Sequence, residues 1–173
     1  MFGRKRRPPS WARPRLDKNE RIVGWSPTNG DGQAAVVVTT LGMWLPGRTE
    51  RLGWHEVHKA AWSDGRLTVI PSTRVGEGDG YAVMADAAPV MVKLADPGTV
   101  PDEVRKRVTA SVVHTAHYPL PGGGVRVVGR KVPGVDGLSW HVRYDEGTAS
   151  DDPEIVRVTS QIVAETVASR AEE

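Results

Sequence analysis

The 173-residue chain contains no cysteine, which removes disulfides, thiolate nucleophiles and cysteine-ligated zinc or iron–sulfur centres together. It has no apolar run long enough to cross a bilayer, and the basic start "MFGRKRRPPSWARPR" leads into no apolar segment of the kind a secretory signal carries. A cytoplasmic protein is expected, with peripheral attachment to a membrane left open. The only phenylalanine is Phe2, so the aromatic part of a core must come from tryptophan and tyrosine. No G-x-S-x-G elbow is present, and neither "GEGDG" (76–80) nor "PGGGVR" (121–126) is followed by Gly-Lys-Ser/Thr opening a helix. Those glycines read as turns.

What is present points to a folded protein. Hydrophobic residues make up 39% and charged residues 25%, a balance that supports one main core with extensions. The charge is uneven. Residues 1–21 hold eight Lys/Arg against two acids, six positive charges net, whereas the whole chain carries +2; the remainder is therefore acidic by four. The cationic character belongs to a tail in which Arg4, Lys5, Arg6 and Arg7 precede Pro8, Pro9 and Pro14. Proline and like charges disfavour both helix and ladder, so residues 1–19 are expected to form a disordered basic arm.

Beyond the arm the pattern is that of short strands. Ile22 to Ser26 precedes Asn29-Gly30 and Asp31-Gly32, then the β-branched run Val36 to Thr40, and Pro46-Gly47 closes a third strand at Met43 to Leu45. Val57 to Trp62 and "LTVIP" flank Asp64-Gly65, a strong hairpin signal. Weaker strands follow at Tyr81 to Met84 and Pro89 to Leu94. Apolar residues at Val104, Val108 and Val112 behind Pro101, Asp102 and Glu103 predict a helix over 101–116. A second hairpin pairs "VRVVGRKV" (125–132) with "LSWHVRYD" (138–145), and Asp152-Pro153 opens a C-terminal helix.

A meander of short strands closed by one helix resembles the pleckstrin-homology-like (PH or GRAM) fold. The stretches "VVVTTLGMWLP" and "RLGWHEVHKAAWSDGRLTVI" are similar to bacterial members of that superfamily, and the whole chain resembles an uncharacterised family of GC-rich bacteria. The resemblance implies an α+β protein: a PH-like β-barrel over 20–116, then a β-hairpin and C-terminal helix over 117–173. It also implies a non-enzymatic interaction module and carries over no binding residue.

Three clusters bear on chemistry. His55-Glu56-Val57-His58 lacks the i, i+4 histidine spacing of a helical zinc motif, and residues three apart on a strand point to opposite faces. His114 and His117 sit near the predicted helix end with no acid close in sequence, so neither pair is expected to hold a metal. No cofactor motif and no catalytic residue stand out. Trp25, Trp44, Trp54 and Trp62 are expected to fill the barrel core, the alternative being a tryptophan-lined pocket of a ligand carrier or minor enzyme.

The candidate binding residues are cationic. Arg4, Lys5, Arg6 and Arg7 could meet an anionic membrane or a protein partner, or alternatively the phosphates of a nucleic acid. On the second hairpin, strand alternation places Trp140, Val142 and Tyr144 inward with Val125 and Val127. Arg126, Arg130, His141 and Arg143 then share the opposite side, expected to be an exposed, anion-attracting face.

Overall fold

The computed structural model describes residues 7–30 and 33–173. Arg4, Lys5 and Arg6 lie outside the described residues. Among the described residues the fold is α+β, with predominantly antiparallel sheets, two α-helices and two compact units. One unit comprises the described residues up to Pro71 with Ala87–Ser111, and the other Ser72–Asp86 with Val112–Glu173. The division differs from the expected break at residue 116, because the hairpin and C-terminal helix recruit earlier strands.

In the first unit β1 (Ile22–Pro27), β2 (Ala35–Thr39), β3 (Gly42–Trp44) and β4 (Leu52–Gly53) form an antiparallel sheet in sequence order. Short turns between β-branched segments favour that order. A turn at Trp54–Glu56 leads to β5 (Val57–Ser63), which pairs with the start of β6 (Arg66–Gly78) around Asp64 and Gly65. Both turn residues have positive φ, 51° and 74°, the conformation that a two-residue hairpin demands. The stretch around His55 thus belongs to a turn and a hairpin. Strand β8 (Val90–Lys93) adds to β6 on the other side, and α1 (Val100–Ser111) packs on the core through Val100 and Val104.

Helix α1 ends at Ser111, five residues before its predicted end. Val112 to Leu120 form a strand, β9, paired with β10 (Gly123–Arg130) through a Pro121-Gly122 turn. Its apolar residues fit both periods, but every second residue from Val113 to Pro119 is exposed, and an adjacent hairpin partner rewards the extended form. The second unit continues with β7 (Tyr81–Asp86) and β11 (Ser139–Tyr144), in the order β7-β11-β10-β9, with the end of β6 pairing β7.

Helix α2 (Pro153–Ala171) starts where Asp152 accepts from the Glu154 N–H at 2.8 Å. It covers one sheet face, burying Ile155 and Val163 against Tyr81, Leu120, Val125, Val127 and Val142. All three tyrosines of the chain reach it. Tyr81 meets Ser160 at 2.8 Å, Tyr118 meets Thr166 at 3.4 Å, and Tyr144 donates to Thr159 at 2.8 Å. A half-buried phenol needs such a partner.

Burial raises the Tyr144 phenol above its ordinary range, partly offset by the Thr159 hydrogen bond. Folding therefore favours the protonated phenol. That stabilisation is complete below the unfolded value of about 10 and is lost as pH rises through the higher folded value. Tyr144→Phe is expected to cost about 1 kcal/mol at neutral pH through the lost hydrogen bond. It should also flatten the decline in stability above about pH 10. Denaturant titrations across that range check both, and an unchanged alkaline slope would contradict the assignment.

The arm base carries the firmest polar contacts of the first unit. Glu20 is 5% exposed. Its carboxylate accepts from Thr39 Oγ1 (2.7 Å), Trp44 Nε1 (3.2 Å), Arg51 Nη1 (2.8 Å) and the Asp17 N–H (3.0 Å). Glu20→Gln would turn an amide donor toward at least one of these donors and remove the counter-charge of Arg51, at a cost of about 2–3 kcal/mol. Equilibrium denaturation of the purified variant measures that loss; a shift below about 0.5 kcal/mol would show that the contacts are dispensable.

Candidate functional site

Glu20 holds the arm against β1, and between them lies a cleft of about 620 Å³. Its walls come from the arm (Arg7, Pro8, Arg13, Leu16), from Glu20 to Trp25, and from Asp96, Gly98 and Thr99 ahead of α1. Ile22, Val23, Gly24 and Trp25 are consecutive, so the cleft meets β1 along its edge rather than on one face, because successive strand side chains alternate. Gly24 sits where a Cβ would come 3.4 Å from Thr99 Oγ1, which shows how closely the segment before α1 approaches the strand.

Residues 7–19 do not behave as the unstructured arm that their composition predicts. Pro8 is buried, Ser10–Ala12 form a single 3-10 turn, and Arg13 Nε donates to the Pro8 carbonyl at 2.8 Å. Arg51 secures the far end through Asp17 at 3.1 Å as well as Glu20. Proline-rich chain without a ladder of its own can still be placed when side chains from the folded unit satisfy its polar groups.

The cleft is amphipathic. Arg7, Arg13 and Arg21 are exposed cations on its rim, while Leu16, Ile22, Val23 and Trp25 supply apolar wall. Both carboxylate oxygens of Glu20 are engaged internally, which leaves Asp96 as the exposed acid among the described lining residues. The excess is positive. Its size falls in the range of small-molecule sites, in which a mostly apolar lining carries a few orienting polar groups. No histidine, cysteine or lysine is among the described lining residues.

The four tryptophans divide. Trp54 is 4% exposed and donates to the Thr39 carbonyl at 3.1 Å; Trp62 packs partly on the same core; Trp44 is tied to Glu20. Trp25 lines the cleft. Core filling thus accounts for Trp54 and Trp62, not for all four.

The hairpin face is assembled as the alternation predicts but is not exposed as expected. Arg126 pairs with Arg143, Val128 with His141 and Arg130 with Ser139 across β10 and β11, which places the basic residues on one face. Arg130 is nevertheless only 5% exposed and Val128 7%. The Arg143 guanidinium donates to Asp86 and Ser72 within the same unit. Burial lowers the proton affinity of Arg130, and the nearby charge of Arg143 lowers it further. Arg126 alone of the four is exposed, with one bond to Thr115 Oγ1 at 3.3 Å. A face that buries Arg130 and engages Arg143 does not offer four cations to a partner.

The histidines also differ from expectation. His114 and His117 lie on β9 rather than at a helix end, so their rings occupy opposite faces. His114 meets Trp140 in a tilted ring contact with centroids 5.6 Å apart, and His117 Nε2 meets Asp145 Oδ2 at 2.7 Å. Asp145 is remote in sequence, which is why no acid was expected there. His55 lies in the turn beside Glu56, and His58 is on β5. Among the described residues no group of three or more histidines and acids has metal-binding geometry.

No protein-family model, curated protein or solved structure matches the chain.

Asp86 accepts from the half-buried Arg143, whose charge acts on the buried Arg130, so Asp86→Asn should destabilise the second unit by about 1–2 kcal/mol. Arg143→Met should cost less, because it relieves repulsion at Arg130 and frees a carboxylate that water can reach. Thermal melts of the two variants provide the comparison; the reverse order would show that Asp86 does not serve as the counter-charge of Arg143.

Proposed function

We propose that the protein is a non-enzymatic binding module, PH-like in its first unit, that docks on an anionic membrane surface through its basic arm. The observation that carries this is Trp11. It is 42% exposed on the 3-10 turn, with exposed Arg7, Arg13, Arg15 and Lys18 around it in the chain. Indole rings favour the headgroup layer, and cations beside them are attracted to anionic lipid. One apolar anchor with a polybasic segment is the two-signal combination that peripheral binding requires.

Several features support the reading. The Glu20 contacts present the arm from a folded base, so less ordering entropy opposes docking than for a free tail. The strand order β1 to β4, the β5-β6-β8 group and the packing of α1 are compatible with a PH-like unit. Among the described residues no helix is long and apolar enough to cross a membrane, so attachment of this kind would rest on the surface.

The expected strength is modest. About four effective cations at roughly 1 kcal/mol each and about 2 kcal/mol from the indole give on the order of 6 kcal/mol. That corresponds to an apparent Kd of tens of micromolar in accessible lipid. Co-sedimentation should show binding to phosphatidylglycerol-containing vesicles, none to neutral vesicles, and release by salt. Trp11→Ala should weaken it at least tenfold with an unchanged melting temperature. Absence of vesicle binding together with salt-sensitive binding to an oligonucleotide would overturn the membrane reading in favour of nucleic acid.

A further inference from the structure

We infer that the cleft beneath the arm is a binding site for one monomeric, single-chain amphiphile: an acyl chain ending in an oxyanion. This goes beyond membrane docking; the two readings share Arg7 and Arg13, but the docking anchor Trp11 does not line the cleft, so Trp11→Ala separates them.

The argument is one of matched chemistry. Leu16, Ile22, Val23 and Trp25 supply the apolar part of the lining along the β1 edge, and Arg7, Arg13 and Arg21 are exposed cations beside it. Guanidinium groups bind a carboxylate or phosphate through paired hydrogen bonds, whereas an uncharged apolar guest would leave them unused. Of the five donors of Arg13 the Pro8 carbonyl takes one. An acidic head without a chain would leave the apolar wall in contact with water, and a chain without a head would leave the rim charge uncompensated.

Size narrows the class. A volume of 620 Å³ corresponds to about twenty water-sized units at roughly 30 Å³ each. That suits a ligand on the order of 12–18 non-hydrogen atoms and is too small for a two-chain lipid. Thr99 contributes a hydroxyl from the segment ahead of α1, and the close approach of Gly24 to that segment narrows the cleft there. Apolar side chains along the strand edge beside exposed guanidiniums, with a close approach at Gly24, fit a linear tail better than a fused-ring guest.

The test uses the full chain and monomeric hexanoate, octanoate and decanoate below their micelle concentrations, followed by titration calorimetry. Binding should saturate at one per chain, and affinity should rise about fourfold with each added methylene. Acetate and 1-decanol should each bind at least tenfold more weakly than decanoate. Arg13→Gln with Arg21→Gln should lower decanoate affinity at least tenfold. Leu16→Glu, at a side chain already 37% exposed, should do so without loss of stability if the rim variant folds poorly. Trp11→Ala should leave decanoate binding unchanged. Affinity independent of chain length, uptake of many molecules per chain, or decanoate binding that survives both sets of substitutions would overturn the inference. Vesicle binding without decanoate binding would likewise overturn it and leave membrane docking standing.

Discussion

A carboxylate removed from water must find its whole hydrogen-bonding complement in the protein, and Glu20 does so by drawing four donors from separate parts of the chain. The Thr39 hydroxyl that donates to it accepts from the Leu41 and Gly42 amides, which shape the tight turn between β2 and β3. Trp44 on β3 and Arg51 before β4 complete the set, and Asp17 ties in the arm. Removing the carboxylate would leave the Trp44 indole N–H without this acceptor, the Thr39 hydroxyl with only the Gly42 carbonyl and Arg51 with only Asp17. The arm lies beside β1, and the cleft exists, because this one group has to be satisfied.

The second unit solves a different problem. Its sheet has an apolar face covered by α2 and an opposite face carrying Arg126, Arg130, His141 and Arg143. Along the helix, tyrosine hydroxyls meet serine and threonine hydroxyls, so polar atoms at the sheet-helix seam are paired without charge. On the opposite face the charge of Arg143 acts on the buried Arg130, and Asp86 is the counter-charge of Arg143. Like charges in a poorly hydrated setting are costly, and a carboxylate beside one of them limits the penalty. That arrangement accounts for the guanidiniums better than display to solvent does.

Much of this was legible in the chain. The β5-β6 hairpin followed from Asp64-Gly65, and which residues of β10 and β11 share a face followed from the alternation of Trp140, Val142 and Tyr144 with their polar neighbours. The start of α2 followed from Asp152-Pro153. The four-residue HEVH stretch was separable from a helical zinc motif by spacing alone. Each rests on turn chemistry or strand period, properties of adjacent residues. The failures share the opposite character. The end of α1 was misplaced because Val112 to Tyr118 fit either period, and β10 decided between them. The burial of Arg130 and the pairing of His117 with Asp145 depend on residues distant in sequence.

The amino-acid sequence by itself determined the α+β character, the positions of most turns and strands, the faces of the second hairpin and the concentration of the net positive charge in the first 21 residues. These depend on local backbone preference and on the alternation of apolar and polar side chains, which adjacent residues specify. Only the tertiary structure decided that Glu20 is a buried anchor rather than one more charge of the tail, and that the proline-rich arm lies on the fold and encloses a cleft with Trp25. It likewise decided that a strand face rich in arginine is largely covered. Burial and charge compensation are set by which distant segments meet, and no local pattern around Glu20 or Arg130 encodes the partner that makes their positions tolerable.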